Sequence, residues 1–171
     1  MLRDPNLIPL SHQHHNALAM CVLTRRSLGE DRSPANVARL AGRAIDRYDL
    51  ELANHFEIEE QILFPAIENA LGNLPLVADL IAQHREAEDL IAQLRSAPTA
   101  ALLERLCGLL TEHIRREENE LFQVAQSRLA APILQELGAA IERKVVRNCA
   151  FLCSLVRRIS GWVLDKRTPT Y

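Results

Sequence analysis

His55-Phe56-Glu57-Ile58-Glu59-Glu60-Gln61-Ile62-Leu63-Phe64 and His113-Ile114-Arg115-Arg116-Glu117-Glu118-Asn119-Glu120-Leu121-Phe122 share one pattern, H-x-x-x-E-E-x-x-L-F. A histidine and a glutamate four residues apart are separated by about 400° on an α-helix, so they lie roughly 40° apart on one face. The leucine that follows lies on the same side, which makes that side the inward one. Two inward His/Glu pairs in a mostly apolar chain require compensation. Buried carboxylates without partners are costly, and a metal ion is the usual counter-charge.

The rest of the chain frames these stretches as helix. Its 171 residues suit one domain with a substantial core, and 48% apolar with 25% charged residues is ordinary globular usage. Only 6 glycines and few alternating runs point to an all-α protein. A net charge of −2 gives no reason to expect a nucleic-acid partner. No apolar run reaches the length of a membrane span, and Met1 to Asn6 does not lead into a signal-peptide core. The four cysteines, Cys21, Cys107, Cys149 and Cys153, are too sparse for a disulfide framework. The expected setting is reducing and cytoplasmic.

A first helix is expected from near Pro9 to Gly29, with Leu10, Ala17, Leu18, Cys21 and, at the edge of the stripe, Val22 at helical period. His14 lies on that stripe, which makes it the candidate ligand, with His15 as the alternative. Ser33-Pro34 is an N-cap followed by a first-turn proline, opening a second helix that runs to Phe64-Pro65 or, kinked, to Leu71-Gly72. Its inward face is read as Tyr48, Leu52, His55, Glu59, Ile62 and Leu63. Tyr48 is a core residue or a donor to a metal ligand. A third helix from Pro75 carries Leu80, His84, Ala87, Glu88 and Ile91 on one face, and Thr99 caps a fourth that carries His113 and Glu117.

A lone-histidine helix followed by an H-x-x-x-E-E-x-x-L-F helix thus occurs twice. A duplicated hairpin folds into an up-down-up-down four-helix bundle, residues 1–130, with pseudo-twofold symmetry. An additional long C-terminal helix, within 131–171, is expected from Ala131-Pro132 to about Gly161. That segment carries seven Lys and Arg against three Asp and Glu, a net of +4 that leaves −6 for the rest. It packs on the bundle or forms an oligomer interface, a homodimer being the simplest case. Cys149 and Cys153 are read as small core residues of this helix.

The bundle brings four histidines, His14, His55, His84 and His113, together with Glu59 and Glu117. Imidazole with carboxylate and no thiolate suits iron, manganese or zinc. Six side chains overfill one tetrahedral site, while two six-coordinate ions need about twelve positions. Two bridging carboxylates and a bridging solvent oxygen leave about two positions open, or fewer if Glu88 binds.

These motifs resemble the hemerythrin-like, HHE cation-binding family, over roughly residues 8 to 126. The resemblance rests on His14, His55-x-x-x-Glu59, His84 and His113-x-x-x-Glu117. It implies a four-helix bundle holding two Fe ions, bridged by two carboxylates and an oxo or hydroxo group. It implies a small ligand too: dioxygen, nitric oxide or peroxide, for sensing, scavenging or iron handling. The family's oxygen carriers have a second histidine one turn after the first on the third helix, where this chain has Glu88, and an H-x-x-x-x-D where it has His113-x-x-x-Glu117. The extra carboxylate favours an oxidised centre over reversible oxygen carriage. Glu88 is expected to bind metal directly or through one water. The competing functions are a di-iron oxidase or peroxidase and a zinc-stabilised helical interaction module.

Overall fold

A computed structural model describes residues 3–145. Four long helices account for most of it. They are α1 (Ile8–Glu30), α2 (34–71), α3 (Pro75–Ser96) and α4 (100–128), and α5 follows from 131 to 145. There is no strand among the described residues. The expected extension of the last helix to Gly161, with Cys149 and Cys153, lies outside the described residues.

Local chemistry sets the helix limits. Asp4 caps a single 3-10 turn, Pro5–Leu7, that leads into α1, its carboxylate accepting from Asn6 N–H at 2.9 Å. Ser33 Oγ accepts from Asn36 N–H at 3.3 Å, and Thr99 Oγ1 from Leu102 N–H at 3.2 Å, so both expected N-caps form. Gly72, with φ of 85°, ends α2 in a conformation that glycine alone adopts freely. The connections are short, so successive helices are antiparallel. Each lies against two neighbours, α1 and α3 both packing on α2 and α4. This is the up-down-up-down bundle.

The longer helices are not uniform. α2 contains π turns at Tyr48–Leu52 and Glu59–Leu63, and α4 contains one at Glu117–Leu121. A π turn adds a residue to one turn and shifts everything beyond it by about 100°. Tyr48 is therefore offset in angle from His55, and it serves as a core residue: its half-buried ring packs against the apolar interior, edge-on to Phe56 with centroids 6.4 Å apart. The turn at Glu59 also corrects the expected inward face. Leu63 and Phe64 are fully buried, while Ile62 is only partly so. Leu121 and Phe122 follow Glu117 in the same way. The spacing of four and five from the glutamate is the π period, which is why Leu-Phe recurs in both stretches. Pro65 is not the cause, since Gln123 stands at its place in α4.

The apolar interior is divided in two. One core contains Cys21, Leu40, Phe56, Leu90, Leu106 and Ile114, and the other contains Leu10, Leu63, Phe64, Leu80, Leu121 and Phe122. The His/Glu layer lies between them. α5 closes the second core with Leu134, Leu137 and Ile141. It does so by passing very close to the N-terminal turn: a Cβ at Gly138 would lie 2.6 Å from Asn6 Cβ. Gly138→Ala is therefore expected to cost on the order of 1–3 kcal/mol through overpacking. A lowered melting temperature, with faster amide exchange across 131–145, is the predicted result. An unchanged melt would show that α5 does not seat against the bundle at this point.

Candidate metal centre

The layer is made of His14 from α1, His55 and Glu59 from α2, His84 from α3, and His113 and Glu117 from α4. All six are between 0% and 2% exposed. Their atoms form two overlapping groups whose members lie within 4.8 Å of one another: His14, His55, Glu59 and Glu117, then Glu59, His84, His113 and Glu117. Both glutamates belong to both groups. Glu59 turns Oε1 to His55 Nε2 at 3.0 Å and Oε2 to His84 Nε2 at 3.3 Å. Glu117 sets Oε2 between His14 Nε2 at 3.0 Å and His113 Nε2 at 3.3 Å. Of the alternatives on α1, His14 is inside and His15 is exposed.

The protonation pattern follows from what stands behind each ring. Every Nδ1 faces a side-chain oxygen. His14 faces Glu118 at 2.8 Å, His55 faces Gln13 at 2.9 Å, His84 faces Glu60 at 2.8 Å and His113 faces Gln83 at 3.1 Å. Each partner comes from the adjacent helix, so the four contacts run once around the bundle. Nδ1–H donates outward, which leaves Nε2 as a lone pair facing in.

The centre of the layer is then all acceptors. Four Nε2 atoms face three carboxylate oxygens, Glu59 Oε1 and Oε2 and Glu117 Oε2, and neither these nor Glu117 Oε1 has a hydrogen-bond donor. The close His–Glu approaches above are thus contacts between acceptors, tolerable only with a cation or proton among them. Within each group the two Nε2 atoms are 2.9 Å apart for His14 and His55, and 3.2 Å for His84 and His113. Adjacent ligands of a six-coordinate ion with bonds of about 2.1 Å are separated by about 3.0 Å, and those of a tetrahedral one by about 3.4 Å. The spacing suits one ion per group, and the donor set fits a divalent or trivalent transition metal.

Electrostatics carries the same message. Burial alone would pull the His14 and His84 imidazoles down, but neighbouring carboxylates hold both above their usual value. For His14 these are Glu117, Glu118 and Glu59, and for His84 chiefly Glu59 and Glu60. Burial would raise Glu59, yet the surrounding histidines, His55 foremost, keep it well below the usual carboxylate range. At His113 burial prevails and the ring is pushed down. Burial opposes ionisation of Glu118 too, but His14 and Ser11, with the charge of Arg3, bring it to about 2.

Aromatic rings lock the layer in place. Phe122 lies nearly parallel to His14 at 5.5 Å, and Phe64 to His84 at 5.9 Å. From the other core Phe56 stacks on His84 at 4.0 Å. Glu88 stays outside this arrangement. α3 runs from His84 towards the core that holds Phe56, so one turn on is also one turn higher. The Glu88 carboxylate, 38% exposed, pairs with Arg85 at 2.8 Å, and both residues line a cleft of about 200 Å³ with Phe56 and Glu60. Gln13, Gln83, Glu60 and Glu118 are the functional residues that ligand spacing does not reveal. Their signal is in the sequence all the same: each lone histidine is preceded by glutamine, and each inward glutamate is followed by a second one.

Neither the curated proteins nor the solved structures contain a match to this chain. The family model for the hemerythrin HHE cation-binding domain does match, over residues 8–125, and those residues hold all six members of the layer. With more than half its length so matched, and its buried histidines and glutamates gathered into groups that could hold metal, the chain belongs to the hemerythrin HHE cation-binding domain family.

Proposed function

We propose that the protein holds a non-haem di-iron centre that binds or reacts with a small ligand such as dioxygen, nitric oxide or peroxide, in sensing, scavenging or iron handling. The observation that carries this reading is the acceptor-only layer, with both glutamates shared between two histidine pairs. His14, His55, His84 and His113 would hold the ions, with Glu59 and Glu117 shared between the two histidine pairs. Bound iron would supply an open coordination position and one-electron chemistry for the small ligand. The chain's own part is to place six ligands, exclude bulk water and hold four ring protons at Nδ1.

Ligand size follows from enclosure. The six side chains of the layer are between 0% and 2% exposed, Phe56, Phe64 and Phe122 lie against their rings, and the cleft bounded by Phe56, Glu60 and Arg85, about 200 Å³, is below the usual range for organic substrates. A larger cleft of about 480 Å³ meets the site only at Gln13, which stands behind His55. This favours a diatomic or peroxide over an organic molecule, and so a small-ligand protein over an oxidase. Zinc in a purely structural role remains the opposing reading.

The test is metal analysis and optical spectroscopy of the full chain purified from iron-replete cells. Two irons per chain, with near-ultraviolet ligand-to-iron charge-transfer bands that change on adding azide or nitric oxide, is the expected result. Stoichiometric zinc under the same conditions, with no such bands, would overturn it.

A further inference from the structure

The four Nδ1 partners are not equivalent. His14 and His84 are backed by carboxylates, Glu118 and Glu60, each at 2.8 Å. His55 and His113 are backed by neutral amides, Gln13 at 2.9 Å and Gln83 at 3.1 Å. The division is even: each group has one carboxylate-backed and one amide-backed imidazole. It also obeys the pseudo-twofold symmetry, α1 matching α3 and α2 matching α4.

The two carboxylates are held where they are. Glu118 accepts from Ser11 Oγ at 2.7 Å and is paired with Arg3, whose guanidinium also caps the Phe122 ring at 4.8 Å. Glu60 is paired with Arg85, which Glu88 anchors on its other side at 2.8 Å. The same two imidazoles are those stacked on Phe122 and Phe64. Each is thus fixed in orientation by a ring below and a charged acceptor behind.

A charged acceptor draws the Nδ1 proton outward and leaves more electron density on Nε2, whereas an amide does so only weakly. We propose that Glu60 and Glu118 are positioning residues that make His84 and His14 the two strongly donating imidazoles of the centre, one per ion, and bias both ions towards the higher oxidation state. The proposal rests on the metal-binding reading above. It gives Glu88 a part at one remove, as the anchor of Arg85.

The experiment uses the full chain loaded with iron, with metal content measured first and the midpoint potential and charge-transfer spectrum second. Glu60→Gln and Glu118→Gln keep an acceptor behind the ring and remove its charge. Each is expected to raise the midpoint potential, to shift the charge-transfer bands, and to weaken metal binding about tenfold in a chelator competition. The reciprocal variants, Gln13→Glu and Gln83→Glu, are expected to lower the potential. Opposite signs in the two pairs are what a merely structural role would not produce. Two irons bound with unchanged potentials in all four variants, or shifts of one sign throughout, would overturn this assignment while leaving the di-iron reading intact. A wild-type chain that takes up no metal would overturn both.

Discussion

Glu59→Ala and Glu117→Ala are each expected to reduce metal content from two ions per chain to nearly none, whereas His14→Ala and His84→Ala should retain about one. The difference follows from sharing. Each glutamate is common to the two groups, so with an ion in each its loss would open a coordination position on both and remove the negative charge that would let them sit side by side. Each histidine serves one group only. The comparison is metal per chain at equal helicity by circular dichroism. Full occupancy in both glutamate variants would leave a single-ion or structural site as the better account.

Removing the metal should have the largest effect on stability, and the effect should depend on pH. A ligand at a hundredfold excess over its Kd stabilises by about 2.7 kcal/mol per site. For a chain of this size that is roughly 2–4 °C per kcal/mol, so two ions are worth on the order of 10–20 °C. In the metal-free chain protons take over part of the neutralising role. His14 and His84 are raised above their ordinary value of 6.5, so their contribution is present below pH 6.5 and lost as pH rises through their folded values. Glu59 is depressed below 4.5, so its contribution is present above that and lost on acidification. His113, depressed by burial, acts against the other two histidines, its share fading as pH falls below 6.5. With two rings against one, the metal-free protein should weaken from pH 6 to pH 9 while the loaded protein changes little. Melting curves with and without chelator at both pH values measure the gap, which should widen at pH 9. A constant or narrowing gap would contradict the assignment of His14 and His84 to a layer of negative charge.

The bundle was legible because its signals are local. Ser33-Pro34, Thr99 and Gly72 mark helix ends by chemistry that does not depend on the rest of the fold. The doubled His-x-x-x-Glu was legible for the same reason, since residues four apart share a face in any α-helix. What a helical wheel lacks is height and period. Glu88 has the right angle to join His84, but it stands one turn up the axis, beside a stacked Phe56. Tyr48 and Ile62 are displaced by π turns, which no residue propensity announces; only the burial of Leu63 with Phe64, and Leu121 with Phe122, exposes the longer period. The partners behind the rings lie on neighbouring helices. Gln13 and Glu60 acquire meaning only once α1, α2 and α3 are set side by side.

Two ions sharing both glutamates are the core of the proposed centre. Anomalous diffraction at the iron edge from crystals of the loaded full-length chain tests it most directly. Two peaks about 3.5–4 Å apart, the spacing of two-metal sites, are predicted, one beside His14 and His55 and the other beside His84 and His113, with Glu59 and Glu117 reaching both. A single peak in the layer, or metal bound only outside it, would contradict the account.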